Sequence, residues 1–239
     1  MTVFVSGGSR GIGRAIALRF ARDGAKRVAI GYLRNDRAAE EAAAELEAAG
    51  AEPVLLRGNV TSSRVLEEVA ALGPLDALVH NAATGVIRPA LETEDKHWDW
   101  TVNANARALL QLTRAASPNL HAGSSIVAIS SLGAQRVLPN YVLIGTSKAA
   151  LEALVRYLAV ELAPRGIRVN AVSGGVVDTG ALEHFPNRER MLEAGAANPV
   201  GRLVAAEDIA GAVAFLCSPD AEMIRGQILV VDGGFSLVV

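Results

Sequence analysis

TVFVSGGSRGIGRAIALRFARDG, Thr2 to Gly24, decides the fold. A short apolar run passes straight into glycines at Gly7, Gly11 and Gly13, in the pattern G-x-x-x-G-x-G. A helical pattern follows and closes on Gly24. So tight a strand-to-helix turn needs residues without Cβ, and a pyrophosphate can then touch the backbone. The helix opening near Ile12 offers free N–H groups and a positive dipole end to phosphates. A tight turn alone is the bland reading. Its place directly after the first strand favours a dinucleotide cradle, with Ser9, Arg10 and Ile12 in the same turn.

The rest of the chain repeats the unit. RVAIGY, PVLLRG, LDALVH, SIVAIS, IRVNAV and ILVVDG read as further strands buried on both faces. Helical segments such as RAAEEAAAELEAAG lie between them, so the expectation is right-handed βαβ units and one parallel sheet. Nothing resembling a linker or a repeat divides residues 1–239, and one domain is expected. Residues 178–202 lack a strand and read as a helical lid over a site.

Composition excludes several classes. The chain is 51% apolar and 20% charged, a globular balance. No apolar run is long enough to span a bilayer, and a net charge of −2 argues against nucleic-acid binding. An apolar run begins at Thr2, which leaves no room for a signal peptide, and a cytoplasmic location is expected. Cys217, the single cysteine, fits a reducing compartment and reads as buried packing. His80, His97, His121 and His184 show no metal-ligand spacing, and no metal is expected.

The end of the second strand selects the dinucleotide. An NAD site places Asp or Glu there to hold the ribose hydroxyls. Here Leu33, Arg34 and Asn35 follow Tyr32. Arg34 can grip a 2′-phosphate, Arg10 can add a second cation, and Asp36 reads as the cap of the next helix. NADPH is therefore expected over NADH. Surface roles for Arg34 and Arg37 are the alternative.

These segments together resemble the short-chain dehydrogenase/reductase superfamily over nearly the whole chain. SGGSRGIG stands for its TGxxxGIG turn, GNV at 58–60 for its adenine contact, and HNAA at 80–83 for NNAG. Asn103 in VNANA, ISSLG at 129–133, NAVSGGVVDT at 170–179 and the GQILVVDGG ending also match. The resemblance implies a Rossmann-type, doubly wound sheet in the order 3-2-1-4-5-6-7 and usually a homotetramer. It implies that Asn59 and Val60, Asn81 and Ala82, and Gly175, Val177 and Thr179 line the cofactor. Asn59, Ala83 and Gly174 depart from the usual aspartate, glycine and proline.

The largest departure is at Ile144, where the superfamily's Tyr-x3-Lys places tyrosine. Lys148 and Ser131 keep their seventeen-residue spacing, while the tyrosine, Tyr141, stands seven before the lysine. In a ketone the carbon that receives hydride carries the oxygen. In an enoyl thioester hydride goes to the β-carbon, and charge appears on an oxygen two carbons further along. A group stabilising that charge must sit further out. Moving a tyrosine from four to seven before a lysine keeps its helix face and shifts it about 4–5 Å along the axis.

Tyr-x6-Lys resembles enoyl-acyl-carrier-protein reductases. HWDWTVNANA, ISSLGAQRVLPNY and HFPNRERML are similar to the NADPH-dependent type III branch. The resemblance implies reduction of a trans-2-enoyl thioester in fatty-acid synthesis. It assigns Tyr141 to the enolate oxygen and Lys148 to the nicotinamide ribose and the tyrosine's electrostatics, with Ser131 and then Asn103 as further catalytic candidates. Trp98 and Trp100 can floor an acyl pocket or pack a helix or subunit contact. The thioester can arrive on acyl carrier protein or coenzyme A, and Arg136, Arg188 and Arg190 can meet an acidic carrier. The FSLVV ending reads as apolar surface for a neighbouring subunit. Two other functions fit: a ketoacyl or other carbonyl reductase in which Tyr141 bends inward, and a non-catalytic dinucleotide sensor.

Overall fold

The computed structural model describes residues 1–180, 182 and 188–238. Each apolar run is a strand: β1 (Thr2–Ser6), β2 (Arg27–Tyr32), β3 (Glu52–Arg57), β4 (Leu75–His80), β5 (Leu120–Ser131), β6 (Arg168–Gly174) and β7 (Ile228–Val231). They form one parallel sheet in the order β3-β2-β1-β4-β5-β6-β7, as expected. The order turns back between β1 and β4, which pair from Val3–Ala77 to Ser6–His80. A crevice opens beyond the carboxyl ends of two such strands.

Helices cover both faces. α1 (Gly11–Arg22), α2 (Asp36–Ala48) and α8 (Ala206–Cys217) bury Ile16, Phe20, Leu46, Ile209 and Val213 against one face. α3 (Ser63–Ala70), α5 (Ala108–Ala116) and α6 (Val142–Leu162) bury Val65, Val69, Leu109, Leu112, Leu151 and Val155 against the other. α4 (Asp95–Val102) runs into α5 through a wide π-turn at Asn103–Arg107, and α7 (Arg188–Ala196) lies in the expected lid. Part of that lid, with His184, lies outside the described residues.

Two expectations need correction. Burial on both faces holds for the central strands, but β3 and β7 are the sheet's edges and keep exposed positions, among them Leu55, Leu229 and Val230. Asp36 does not cap α2. Asn35 does, its side chain accepting from the Ala38 N–H at 3.1 Å. Asp36 instead pairs with Arg57 at 3.0 Å.

Candidate active site

A cleft of about 1010 Å³ opens at the carboxyl ends of the strands. Its floor begins at the glycine turn, where Gly7, Ser9, Arg10, Gly11 and Ile12 line it. Gly13 lies underneath. A Cβ there would stand 2.1 Å from the Gly7 carbonyl oxygen, so only glycine lets α1 approach this closely. The Asn81 amide braces the turn by donating to the carbonyls of Ser6 and Gly7 at 3.2 and 3.0 Å. Further along, the lining continues through Asn59, Val60, Asn81, Ala82, Gly175, Val177 and Thr179. The cleft's size and its glycine cradle fit a dinucleotide.

Arg34 is exposed at the end of β2 and is not part of the lining. Tyr32 and Leu33 are, together with Arg10. The Asp36–Arg57 ion pair answers the charge question differently from the sequence. It offsets the charge of the carboxylate that follows β2 in the chain.

Beneath the cleft a buried polar chain ties four elements together. Ser6 Oγ accepts the N–H groups of Asn81 and Ala82, each at 3.1 Å. Its hydroxyl proton is then left for His80 Nδ1 at 3.1 Å, so His80 Nε2–H donates to the Asn105 carbonyl at 2.9 Å. The Asn105 side chain accepts from the Thr84 N–H and donates to the Thr84 carbonyl and to Ser147 Oγ, each at 2.9 Å. Burial and the nearby Lys148 charge push His80 down to about 4, so it is neutral near pH 7. VNANA hides Asn105 beside Asn103, and sequence reasoning chose only Asn103. The structure gives them different work. Asn103 lines the cleft, where the π-turn presents it, and Asn105 braces the scaffold below.

Lys148, Ser131 and Tyr141 all line the cleft. Lys148 is 5% exposed, and its Nζ donates to the Ile129 carbonyl at 2.7 Å. Burial lowers it to about 8, opposed by the Glu152 charge one helical turn on. Glu152 was missed, although its spacing of four from Lys148 is legible in the sequence. Its carboxylate accepts from Ser130 Oγ at 2.7 Å and Gln135 Nε2 at 3.1 Å. It therefore joins α6 to the strand end that carries Ser131 and to the loop that leads to Tyr141.

Tyr141 stands at the N-cap of α6, not on a helix face. Asn140 before it adopts a left-handed φ of 60°, and the turn swings the ring over Gly133. The phenol reaches Ser131 Oγ at a long 3.4 Å. Burial raises the Tyr141 pKa, with the Ser131 bond opposing, so the phenol keeps its proton and can donate. Ile144 occupies the helical position nearer Lys148. It is packed so closely on Gly85 that a Cβ there would stand 2.3 Å from its side chain.

The outer wall carries residues the sequence named only as options or not at all. Trp100, Leu138, Met191, Ala194 and Phe235 line it. Trp98 is 46% exposed and lies outside the lining. Phe235 is placed by Asp232, whose carboxylate accepts from the Gly234 and Ser236 N–H groups, both at 2.8 Å. Leu237 and Val238 beyond it are exposed. In α7 Arg190 lines the cleft, whereas Arg188 is held by Asp178 at 2.8 Å. Cys217 is a half-buried free cysteine whose thiol burial pushes up to about 12.

The fold and cleft have clear counterparts among known proteins. A family profile described as enoyl-(acyl carrier protein) reductase matches residues 7–236. A 1-cyclohexenylcarbonyl-CoA reductase from Streptomyces collinus is 39% identical over 98% of this chain and 86% of its own length. A hydroxynaphthalene reductase-like protein from Metarhizium brunneum is 34% identical over 96% of this chain and 92% of its own. The crystal structure of a short-chain dehydrogenase from Burkholderia cenocepacia in complex with NADP superposes with a TM-score of 0.90 at 34% identity, covering 98% of this chain and 97% of that one.

Proposed function

Because the chain belongs to the short-chain dehydrogenase/reductase family, we propose that it reduces the trans-2 double bond of an enoyl thioester with NADPH. The observation that carries the reading is the placement of acid and lysine. Ile144 fills the inner helical position, and the proton-bearing phenol belongs to Tyr141, at the head of α6. The relative from Streptomyces collinus, named for an enoyl thioester, supports it.

NADPH supplies the hydride from its nicotinamide. Residues Gly7 to Ile12 would hold the pyrophosphate, Asn59 and Val60 the adenine end, and Lys148 the nicotinamide ribose. Arg10 would meet the 2′-phosphate beside a neutralised Asp36. Tyr141 donates its hydrogen bond to the thioester oxygen as negative charge develops there, and Ser131 orients the phenol. Trp100, Leu138, Met191 and Phe235 give the acyl chain an apolar wall and keep water out. The carrier is acyl carrier protein or coenzyme A, whose phosphopantetheine Arg190 in the cleft lining would meet. The role is a step of fatty-acid or related acyl-chain synthesis in the cytoplasm. Exposed Tyr157 and Val160 on α6, with Leu229, Val230 and Leu237, support a homotetramer.

The contact between Tyr141 and Ser131 favours a second reading, reduction of a ketoacyl thioester or another ketone. The relative named for hydroxynaphthalene reduction points the same way. NADPH oxidation with crotonyl-coenzyme A and with acetoacetyl-coenzyme A separates the two. Turnover of the crotonyl substrate upholds the proposal, and turnover of the acetoacetyl substrate alone replaces it. No turnover of either, with tight NADPH binding, leaves a dinucleotide sensor.

A further inference from the structure

A second cavity, of about 330 Å³, lies at the opposite end of the sheet from the cleft. The amino ends of β5 and β6 line it through Ala122, Gly123, Gly166 and Arg168, and the segment after α8 through Glu222 and Arg225. Arg168 is 5% exposed. Its Nε and Nη2 donate to Ser125 Oγ at 3.1 and 2.7 Å, and Nη2 also to the Cys217 carbonyl at 3.0 Å. Both acceptors are neutral, one a hydroxyl and the other a backbone carbonyl. Arg225 enters the same space with Nη1 on the Ile167 carbonyl at 2.7 Å, also neutral.

Among the described residues no carboxylate pairs with either guanidinium. Glu222 stands exposed at the rim and forms no ion pair with them. Among the described residues Arg168 Nη1 donates to no protein acceptor. A guanidinium this buried, with only neutral acceptors, is stabilised further by an opposite charge beside it. The glycines leave room beside it, since Gly123 and Gly166 carry no side chain into the space.

We propose that this cavity is a binding site for a small oxyanion, held between Arg168 Nη1 and Arg225. A phosphate or a carboxylate offers the two oxygens that guanidinium forks recognise. The site is separate from the cleft, so its occupancy bears on stability and not on the reductase reading.

The test uses the NADP-saturated protein, so that the cleft's own phosphate positions are filled. Thermal unfolding is followed against inorganic phosphate and against acetate, with chloride holding ionic strength constant. A saturable rise in Tm with phosphate, with acetate or with both is expected, and the arm that saturates identifies the oxyanion. R225Q, which touches nothing in the cleft, weakens that effect roughly tenfold or more while leaving turnover unchanged. Absence of any saturable rise, or an equal rise in R225Q, overturns the proposal. So does a large loss of stability in E222Q without anion, which would make Glu222 the counter-charge.

Discussion

Gly133→Ala tests the placement of Tyr141 without altering its chemistry. A Cβ on Gly133 would lie 2.5 Å from two carbons of the Tyr141 ring. Carbon atoms in contact settle near 3.5–4.0 Å, so the ring must retreat by about 1 Å or more. Tyr141 lines the cleft, so the ring can retreat only by leaving its place beside Ser131. Displacing a catalytic group by about 1 Å costs on the order of a hundredfold in rate. Overpacking adds a stability loss of about 1–3 kcal/mol. The assay is steady-state oxidation of NADPH with crotonyl-coenzyme A, beside fluorescence titration of NADPH. The expected outcome is a fall in kcat of about a hundredfold with NADPH affinity held within a few-fold, since Gly133 is not among the residues lining the cleft. A kcat within a few-fold of the parent, in a folded variant, refutes the reasoning. It would show that the ring position over Gly133 is not the working one.

Three other perturbations follow from the same geometry. Unfolded histidine takes up a proton below about pH 6.5, while folded His80 stays neutral until about pH 4, so stability falls as pH drops through that window. The loss approaches about 3 kcal/mol, and urea unfolding at pH 7 and pH 4.5 should show His80→Asn less acid-sensitive than the parent. Glu152→Gln removes the charge that opposes desolvation of Lys148. The alkaline fall of kcat/KM for NADPH, expected near pH 8, then moves to lower pH; an unmoved limb would leave Glu152 as a packing residue only. Arg190→Glu should raise KM for carrier-bound substrate by roughly tenfold and for a short N-acetylcysteamine thioester by much less, and equal effects on both would remove Arg190 from carrier recognition.

The sheet was legible because its runs alternate with helices and each is short, apolar and bounded. The edges followed only from the strand order that the resemblance implied, since position in the sheet comes from the crossovers and not from a strand's own residues. That is why β3 and β7 read as fully buried. Gly7, Gly11, Gly13, Lys148 and Ser131 were legible by spacing, which the turn and the helix convert directly into position. Arg34 lies outside the lining because local order does not say which side chain turns toward a cleft; Tyr32 and Leu33 do, and Arg57 arrives from a neighbouring strand. Tyr141 was found as a residue through its spacing from Lys148 and proves to be the N-cap of α6. Asn140 breaks the helical course just before it, so a rise per residue overstates what is known of the phenol's position. The braces under the site, Ser6–His80–Asn105 and Ser130–Glu152–Gln135, depend on long-range contacts that no local pattern announces.

The most direct measurement of the central claim is crotonyl-coenzyme A reduction by Tyr141→Phe beside the parent, with NADPH affinity recorded for both. Removal of one oxyanion donor should cut kcat by about a hundred- to a thousandfold while NADPH binds as before. A phenylalanine variant that turns over at nearly the parent rate would contradict the account.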